Sequence, residues 1–233
     1  MAEGARLPQG FRVVYDETRW RILDEKRQKA RRVLRALTGL NAYVYGSVAR
    51  GDVRRESDVD VIVLGQVPPY LAEMRLNMAG LRAYAKEIVQ ATPSYVPKAY
   101  IYLDPDLEVT VSFPLGRLRP READFYTWGG KLDMAGLERG ARVPGVNKEL
   151  KLIVPTGDGH VEYPVSGHEA EVARLLGVDL GTVSERLRVL GRRREVGRTG
   201  TFIKVEVPPD EPLEEAIDRL ARANEFFRRA VGL

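Results

Sequence analysis

Apolar and charged positions recur with distinct periods along the chain, and those periods predict its elements. From Thr18 to Leu37 the apolar residues Trp20, Ile22, Leu23, Val33, Leu34 and Leu37 stand among many charges. That spacing predicts an amphipathic helix with a basic, solvated face. Gly39-Leu40-Asn41 breaks it, and Ala42-Tyr43-Val44-Tyr45 reads as a short buried strand whose tyrosines pack. Ser57 to Leu64 reads as a second strand, with carboxylates alternating with apolar side chains over Asp58-Val59-Asp60-Val61. Pro68-Pro69 opens an expected helix from about Tyr70 to Gln90, with Leu71, Met74, Met78, Leu81, Tyr84, Ala85 and Ile88 on one stripe. Lys98 to Leu103 and Leu107 to Phe113 read as two further strands, separated by the turn signal Asp104-Pro105-Asp106.

A helix is expected after Pro120, and the glycine-rich stretch 129–145 reads as a domain boundary, dividing residues 1–130 from 131–233. Leu150–Val154 and His160–Val165 flank Pro155-Thr156-Gly157-Asp158-Gly159, the pattern of a hairpin. Glu169 to Leu190 reads as two helices in which Ala173, Gly177 and Val183 have helix-turn-helix spacing: a small residue for close crossing, then the turn. The basic run from Arg192 to Lys204 reads as a hairpin of winged-helix type, Thr199–Val207 as strand, and Pro212–Val231 as a terminal amphipathic helix serving as core or dimer surface. The second helix of the pair is expected to present Thr182, Ser184, Glu185, Arg186 and Arg188 to a partner. Arg186, Arg192, Arg193, Arg194 and Arg198 are then the candidate nucleic-acid contacts, which would be salt-sensitive. Packing or dimerisation is the alternative use of such a unit, and Glu185 would repel a phosphate.

A length of 233 residues allows one large core or two modest ones. No run of residues has the roughly 18 apolar positions a membrane span requires, and the N-terminus lacks a secretory apolar core. A cytoplasmic protein with no membrane partner is expected. Cysteine is absent and histidine occurs only at 160 and 168. Disulfides and thiolate metal sites are thereby excluded, and a bound metal would be held by carboxylates, which favours Mg²⁺ or Mn²⁺. The net charge of +4 permits a polyanionic partner without requiring one.

The chemistry concentrates in Tyr45-Gly46-Ser47-Val48-Ala49-Arg50-Gly51-Asp52 and Ser57-Asp58-Val59-Asp60-Val61-Ile62-Val63. A strand ends in Gly-Ser, where a short helix is expected to begin. Glycine lets the backbone approach a phosphate, and the serine hydroxyl and the amides supply donors to it. On the next strand, side chains two apart share a face, so Asp58 and Asp60 converge while Val59, Val61 and Val63 face the core. Two like charges so placed repel unless a cation lies between them. Two metals about 3.5–4 Å apart would clamp the attacking and leaving oxygens of a phosphoryl transfer.

These residues, in this order, resemble the polymerase β nucleotidyltransferase superfamily in its small prokaryotic or archaeal form. The resemblance implies an α+β fold: a mixed-sheet nucleotidyltransferase core with flanking helices, joined here to a smaller C-terminal winged-helix-like domain. It implies two Mg²⁺ ions and transfer of a nucleoside monophosphate from an NTP such as ATP, with Gly46 and Ser47 on the β- and γ-phosphates and Asp58 and Asp60 on the metals. It also implies a third carboxylate on a later strand. Glu108 is the candidate, because Leu107-Glu108-Val109-Thr110-Val111 repeats the alternation around Asp58, with Asp104 and Asp106 as fallbacks. Arg50 lies one helical turn beyond Ser47, within reach of a triphosphate or of Asp52 or Glu56. The acceptor is left open between a nucleic-acid end, a protein side chain and a small molecule. A rival reading is a nucleic-acid-binding regulator that keeps the fold as a nucleotide sensor or scaffold.

Overall fold

The fold is that of a computed structural model describing residues 7–197 and 200–233. From the N-terminus run β1 (Phe11–Val14), α1 (Glu17–Ala36), β2 (Ala42–Tyr45), α2 (Ser47–Arg50), β3 (Val59–Val63), α3 (Pro69–Met78) and β4 (Ala85–Gln90). They are followed by β5 (Lys98–Tyr102), β6 (Val109–Pro114), α4 (Pro120–Trp128), β7 (Lys131–Leu132), α5 (Met134–Glu138) and β8 (Gly145–Val146). The last third holds β9 (Lys151–Thr156), β10 (Gly159–Pro164), α6 (Glu169–Leu176), α7 (Leu180–Val196), β11 (Ile203–Val207), α8 (Leu213–Ala223) and α9 (Glu225–Val231). This is an α+β chain with a mixed sheet, and it divides into two units, neither contiguous in sequence. One takes Met1–Glu25, Tyr45–Ser57 and Pro120–Thr199; the other takes Lys26–Val44, Asp58–Arg119 and Gly200–Leu233. The sequence placed a single break near residue 130, whereas the chain passes between these units several times.

In the second unit the strands follow one another as β11-β4-β5-β6-β3-β2. β3 and β6 run parallel, with Val59 beside Val109 and Asp60 beside Thr110. β5 is antiparallel to β6, β4 to β5 and β11 to β4. Val59, Val61, Val63, Val109, Val111 and Phe113 are all buried on one side, as period-two alternation requires. The helix expected over 70–90 is a correction: α3 stops at Met78, and Ala85–Gln90 is a strand. Its buried face carries Lys86, Ile88 and Gln90, so two polar residues point inward and only Ile88 shows as apolar. Lys86 is satisfied by Glu73 on α3, Nζ to Oε1 at 2.8 Å, and donates to the Glu211 carbonyl. Gln90 donates from Nε2 to the Tyr95 carbonyl at 3.0 Å. The terminal helix is two helices, because Asn224 caps a new one, its Oδ1 accepting from Phe227 N.

The first unit holds the antiparallel sheet β1-β10-β9-β8. The expected hairpin is present, β9 and β10 meeting at Thr156 and Gly159; β1, which no sequence signal marked, pairs alongside it. Trp128, Val146, Leu152, Val165, Val172, Ala173, Leu176, Val178 and Val183 form its core. Beside the sheet, Tyr15 and His160 are buried together, Oη to Nδ1 at 2.6 Å, and His160 Nε2 lies 3.3 Å from Glu162 Oε1. A carboxylate only accepts, so Nε2 carries the proton and Tyr15 donates to Nδ1. Burial accordingly raises the tyrosine to about 12 and lowers the histidine.

The helix pair α6–α7 turns at Gly177, as the spacing predicts. The basic hairpin does not follow it. Arg192 and Arg193 continue α7, which runs to Val196, and the strand after them pairs with β4. Of Arg194 only its place in that helix is described, and Arg198 lies outside the described residues. Among the described residues no helix is long and apolar enough to cross a membrane.

Glu73→Ala would leave the Lys86 ammonium, whose side chain is 1% exposed, with the Glu211 carbonyl but without its carboxylate partner. Breaking a buried pair by removing one partner costs roughly 3–5 kcal/mol. Urea unfolding should show a loss of that order, and a midpoint equal to wild type would show that the pair does not hold α3 to the sheet.

Candidate active site

The two halves of the sequence motif belong to different units: Gly46 and Ser47 to the first, Asp58 and Asp60 to the second. In the first, the chain leaves β2 at Gly46 with φ +79°, a conformation that side chains with a Cβ avoid, and enters the single turn of α2. The Gly46 amide is already engaged, donating to the Gly130 carbonyl at 2.9 Å. The Arg50 and Gly51 amides are engaged too, donating to the carbonyls of Gly46 and Ser47. Arg50 is 5% exposed. Its guanidinium grips Asp52 with two bonds, Nε to Oδ1 at 2.9 Å and Nη2 to Oδ2 at 3.0 Å, while Nη1 donates to the Gly129 carbonyl at 2.5 Å. Of the two partners open to Arg50 in the sequence, the structure places it on Asp52. Tyr45 packs as expected, edge-on to Tyr126 with centroids 5.0 Å apart.

In the second unit Asp60 projects half-buried from β3 on the side away from the valines, and Asp58, one residue ahead of the strand, is exposed. Asp60 makes its presence felt on β5: Tyr100 is raised to about 12, first by burial and then by the Asp60 charge, with a smaller part from Glu87. The register puts the Thr110 hydroxyl, not a carboxylate, directly beside Asp60 on β6.

Glu108 stands one residue before β6, its carbonyl accepting from Val59 N at 2.8 Å. Its carboxylate is held by two lysines of α1, Lys26 Nζ on Oε1 at 2.7 Å and Lys29 Nζ on Oε2 at 2.6 Å. Burial pushes this carboxyl up, but the lysine hydrogen bonds and charges outweigh it and leave the group below the ordinary carboxylate value. The sequence carried no signal for this clamp, because lysines on a basic helix face look solvated. The fallback Asp104 is also engaged, accepting from Glu108 N and Val109 N at the turn. Asp106 is exposed. Among the described residues no group of three or more His, Asp or Glu side chains is disposed to hold a metal. Two carboxylates still fit Mg²⁺, which dehydrates reluctantly and is commonly bound by one or two carboxylates together with substrate phosphates. Asp58 and Asp60 meet that description, and Glu108 in its lysine clamp does not.

Three of the residues singled out on α7 meet partners on α4. Thr182 is buried and its hydroxyl donates to Asp124 Oδ2 at 3.1 Å; Arg186 lies over the Phe125 ring at 4.8 Å; Glu185 is 3.9 Å from Arg121. All three partners lie on α4, so that side of the helix packs within its own unit. Ser184, Arg188, Arg192 and Arg193 are exposed.

The sheet of the second unit thus carries Asp60 opposite its buried valine face, with Asp58 exposed just ahead of the same strand. Residues 26–114 match the nucleotidyltransferase domain family. The enzyme class such a domain defines is nucleotidyltransferase. No curated protein matches the chain. Among solved structures it is similar to Cid1, described for its RNA terminal uridylyl transferase activity, at 14% identity and TM-score 0.28, over 43% of this chain and 31% of that one. It is similar to the polymerase core of TRAMP, an RNA surveillance complex, at 17% identity and TM-score 0.29, over 49% of this chain and 37% of that one. A Cid1 poly(U) polymerase structure with MgGTP gives 10% identity and TM-score 0.29, over 80% and 71%. The chain thus spans about a third of the first two, and at such scores nothing about substrate follows.

The lysine clamp has a measurable signature. A carboxyl depressed on folding contributes stability above its unfolded value, here near 4.5, and that stability is lost as pH falls through the folded value. In metal-free buffer Glu108→Gln should therefore lower the unfolding midpoint at pH 7, and the gap to wild type should close as pH is taken well below 4.5. A gap independent of pH would remove the carboxylate's charge from the account.

Proposed function

We propose that the protein transfers a nucleoside monophosphate from an NTP to a hydroxyl acceptor with the help of Mg²⁺ or Mn²⁺. The observation that carries this reading is Asp60 on β3, facing away from the core valines, with Asp58 exposed just ahead of the strand, both within the segment that matches the nucleotidyltransferase domain family. Bound there by the two aspartates, the cation would offset their repulsion and the charge building on the α-phosphate. The acceptor oxygen attacks the α-phosphorus and its proton passes to solvent water, while the bond from that phosphorus to the α,β-bridging oxygen breaks and pyrophosphate leaves. By its place in the sequence motif, the Ser47 hydroxyl would donate to the nucleotide's phosphates. The acceptor hydroxyl belongs to a nucleic-acid end or a protein side chain, in keeping with a basic chain of net charge +4. No observation favours the rival regulator, since Thr182, Glu185 and Arg186 pack against α4 rather than facing a partner.

Incubation with α-³²P NTPs, Mg²⁺ and RNA, DNA or protein acceptors tests this directly. Wild type should transfer label in a chelator-sensitive manner, and Asp60→Asn should transfer on the order of a hundredfold less or worse. Label transfer undiminished in Asp60→Asn would mean that another site does the chemistry.

A further inference from the structure

Arg50 has the position of a phosphate ligand and the bonding of a brace. Its guanidinium makes four bonds within the protein, two to Asp52, one to the Gly129 carbonyl and a longer one, 3.5 Å, to the Val146 carbonyl. The Asp52 side chain is itself only 9% exposed. The segment it holds, Gly129-Gly130, is the one whose next carbonyl receives the Gly46 amide. That segment admits no slack. A Cβ on Gly130, at φ +79°, would lie 2.8 Å from Arg50 Cγ, and a Cβ on Gly145 would lie 2.6 Å from Gly130 N and 2.7 Å from Gly129 C. Backbone thus stacks on backbone below the turn, with the arginine stem against its side. The amide of Arg50 closes the ring by donating to the Gly46 carbonyl at 3.0 Å.

We infer that Arg50 and Asp52 are positioning residues, which fix the Gly46-Ser47 turn through Gly129-Gly130 and thereby set the affinity for the nucleotide's phosphates without touching them. The inference rests on the proposed nucleotidyl transfer, in which that turn receives the triphosphate. The pair is buried and bidentate, a geometry that lysine cannot reproduce with its single ammonium. Asp52 makes the inference separable from direct recognition by charge. Were Arg50 a phosphate ligand, Asp52→Asn would remove a competing negative charge and leave NTP binding unchanged or tighter. As half of a brace, the same substitution loosens the turn and weakens binding.

Equilibrium dialysis with labelled ATP, GTP, CTP and UTP and Mg²⁺, on the full chain well below its unfolding temperature, reads this out. Circular dichroism confirms that each variant is folded. Wild type should bind at least one NTP. Arg50→Lys and Asp52→Asn should each weaken it on the order of tenfold, and the double variant should be no worse than the weaker single, because both act through one unit. Binding by folded Asp52→Asn equal to or tighter than wild type overturns the inference while leaving nucleotidyl transfer standing, as do fully additive losses. Should Arg50→Lys fail to fold, the near-isosteric Asp52→Asn still decides by the sign of its effect. Failure of wild type to bind any NTP removes the functional reading first, and the inference with it.

Discussion

The parallel ladder between β3 and β6 is the constraint on which the candidate site depends. Its register sets Val59, Val61 and Val63 into the core beside Val109, Val111 and Phe113, and in doing so obliges Asp60 to face the other way. A slip of one residue would bury Asp60 and expose the valines, so the apolar pattern that stabilises the sheet also aims the carboxylate. β6 is buried along its whole length, which removes the freedom for any such slip. Stability and chemistry are thus written into alternate positions of the same strand.

Charge around that strand is apportioned with the same economy. Asp58 is exposed and Asp60 half-buried; of the carboxylates nearby, Glu108 is bound by two lysines and Asp104 by two backbone amides. The strand position beside Asp60 is Thr110, a neutral group that adds no repulsion. A site of two carboxylates leaves coordination places for phosphate oxygens and water, which is how Mg²⁺ is ordinarily held near a nucleotide. Across the division of the chain, the Gly46 turn is held by its own bonds to Gly130 and by the brace of Arg50 and Asp52.

Much of this was legible in the sequence, for physical reasons. The helix beginning near Thr18, the strands around Val44, Asp60, Ile101 and Val111, and the hairpin at Gly157 all follow from apolar period and turn residues, which act locally. The errors share a different cause. Residues 85–90 look helical because Lys86 and Gln90 disguise the inward face of a strand, and their burial is made tolerable by Glu73, thirteen positions away from Lys86, and by the Glu211 and Tyr95 carbonyls. The wing was expected because Arg192 and Arg193 look like a basic loop, whereas they extend α7. The lysine clamp on Glu108 is likewise invisible to local pattern, because Lys26 and Lys29 lie some eighty residues away. Partners distant in sequence leave no periodic trace. The same holds for Arg50, whose neighbour Asp52 was in view but whose hold on Gly129 was not.

The central claim is that Asp58 and Asp60 together hold a divalent cation when a nucleotide is present. Electron paramagnetic resonance of Mn²⁺ titrated into the protein with a non-hydrolysable NTP measures that occupancy without any acceptor. The account predicts Mn²⁺ bound by wild type in the presence of nucleotide and lost in Asp58→Asn and Asp60→Asn alike. Equal Mn²⁺ binding by wild type and both variants would contradict it.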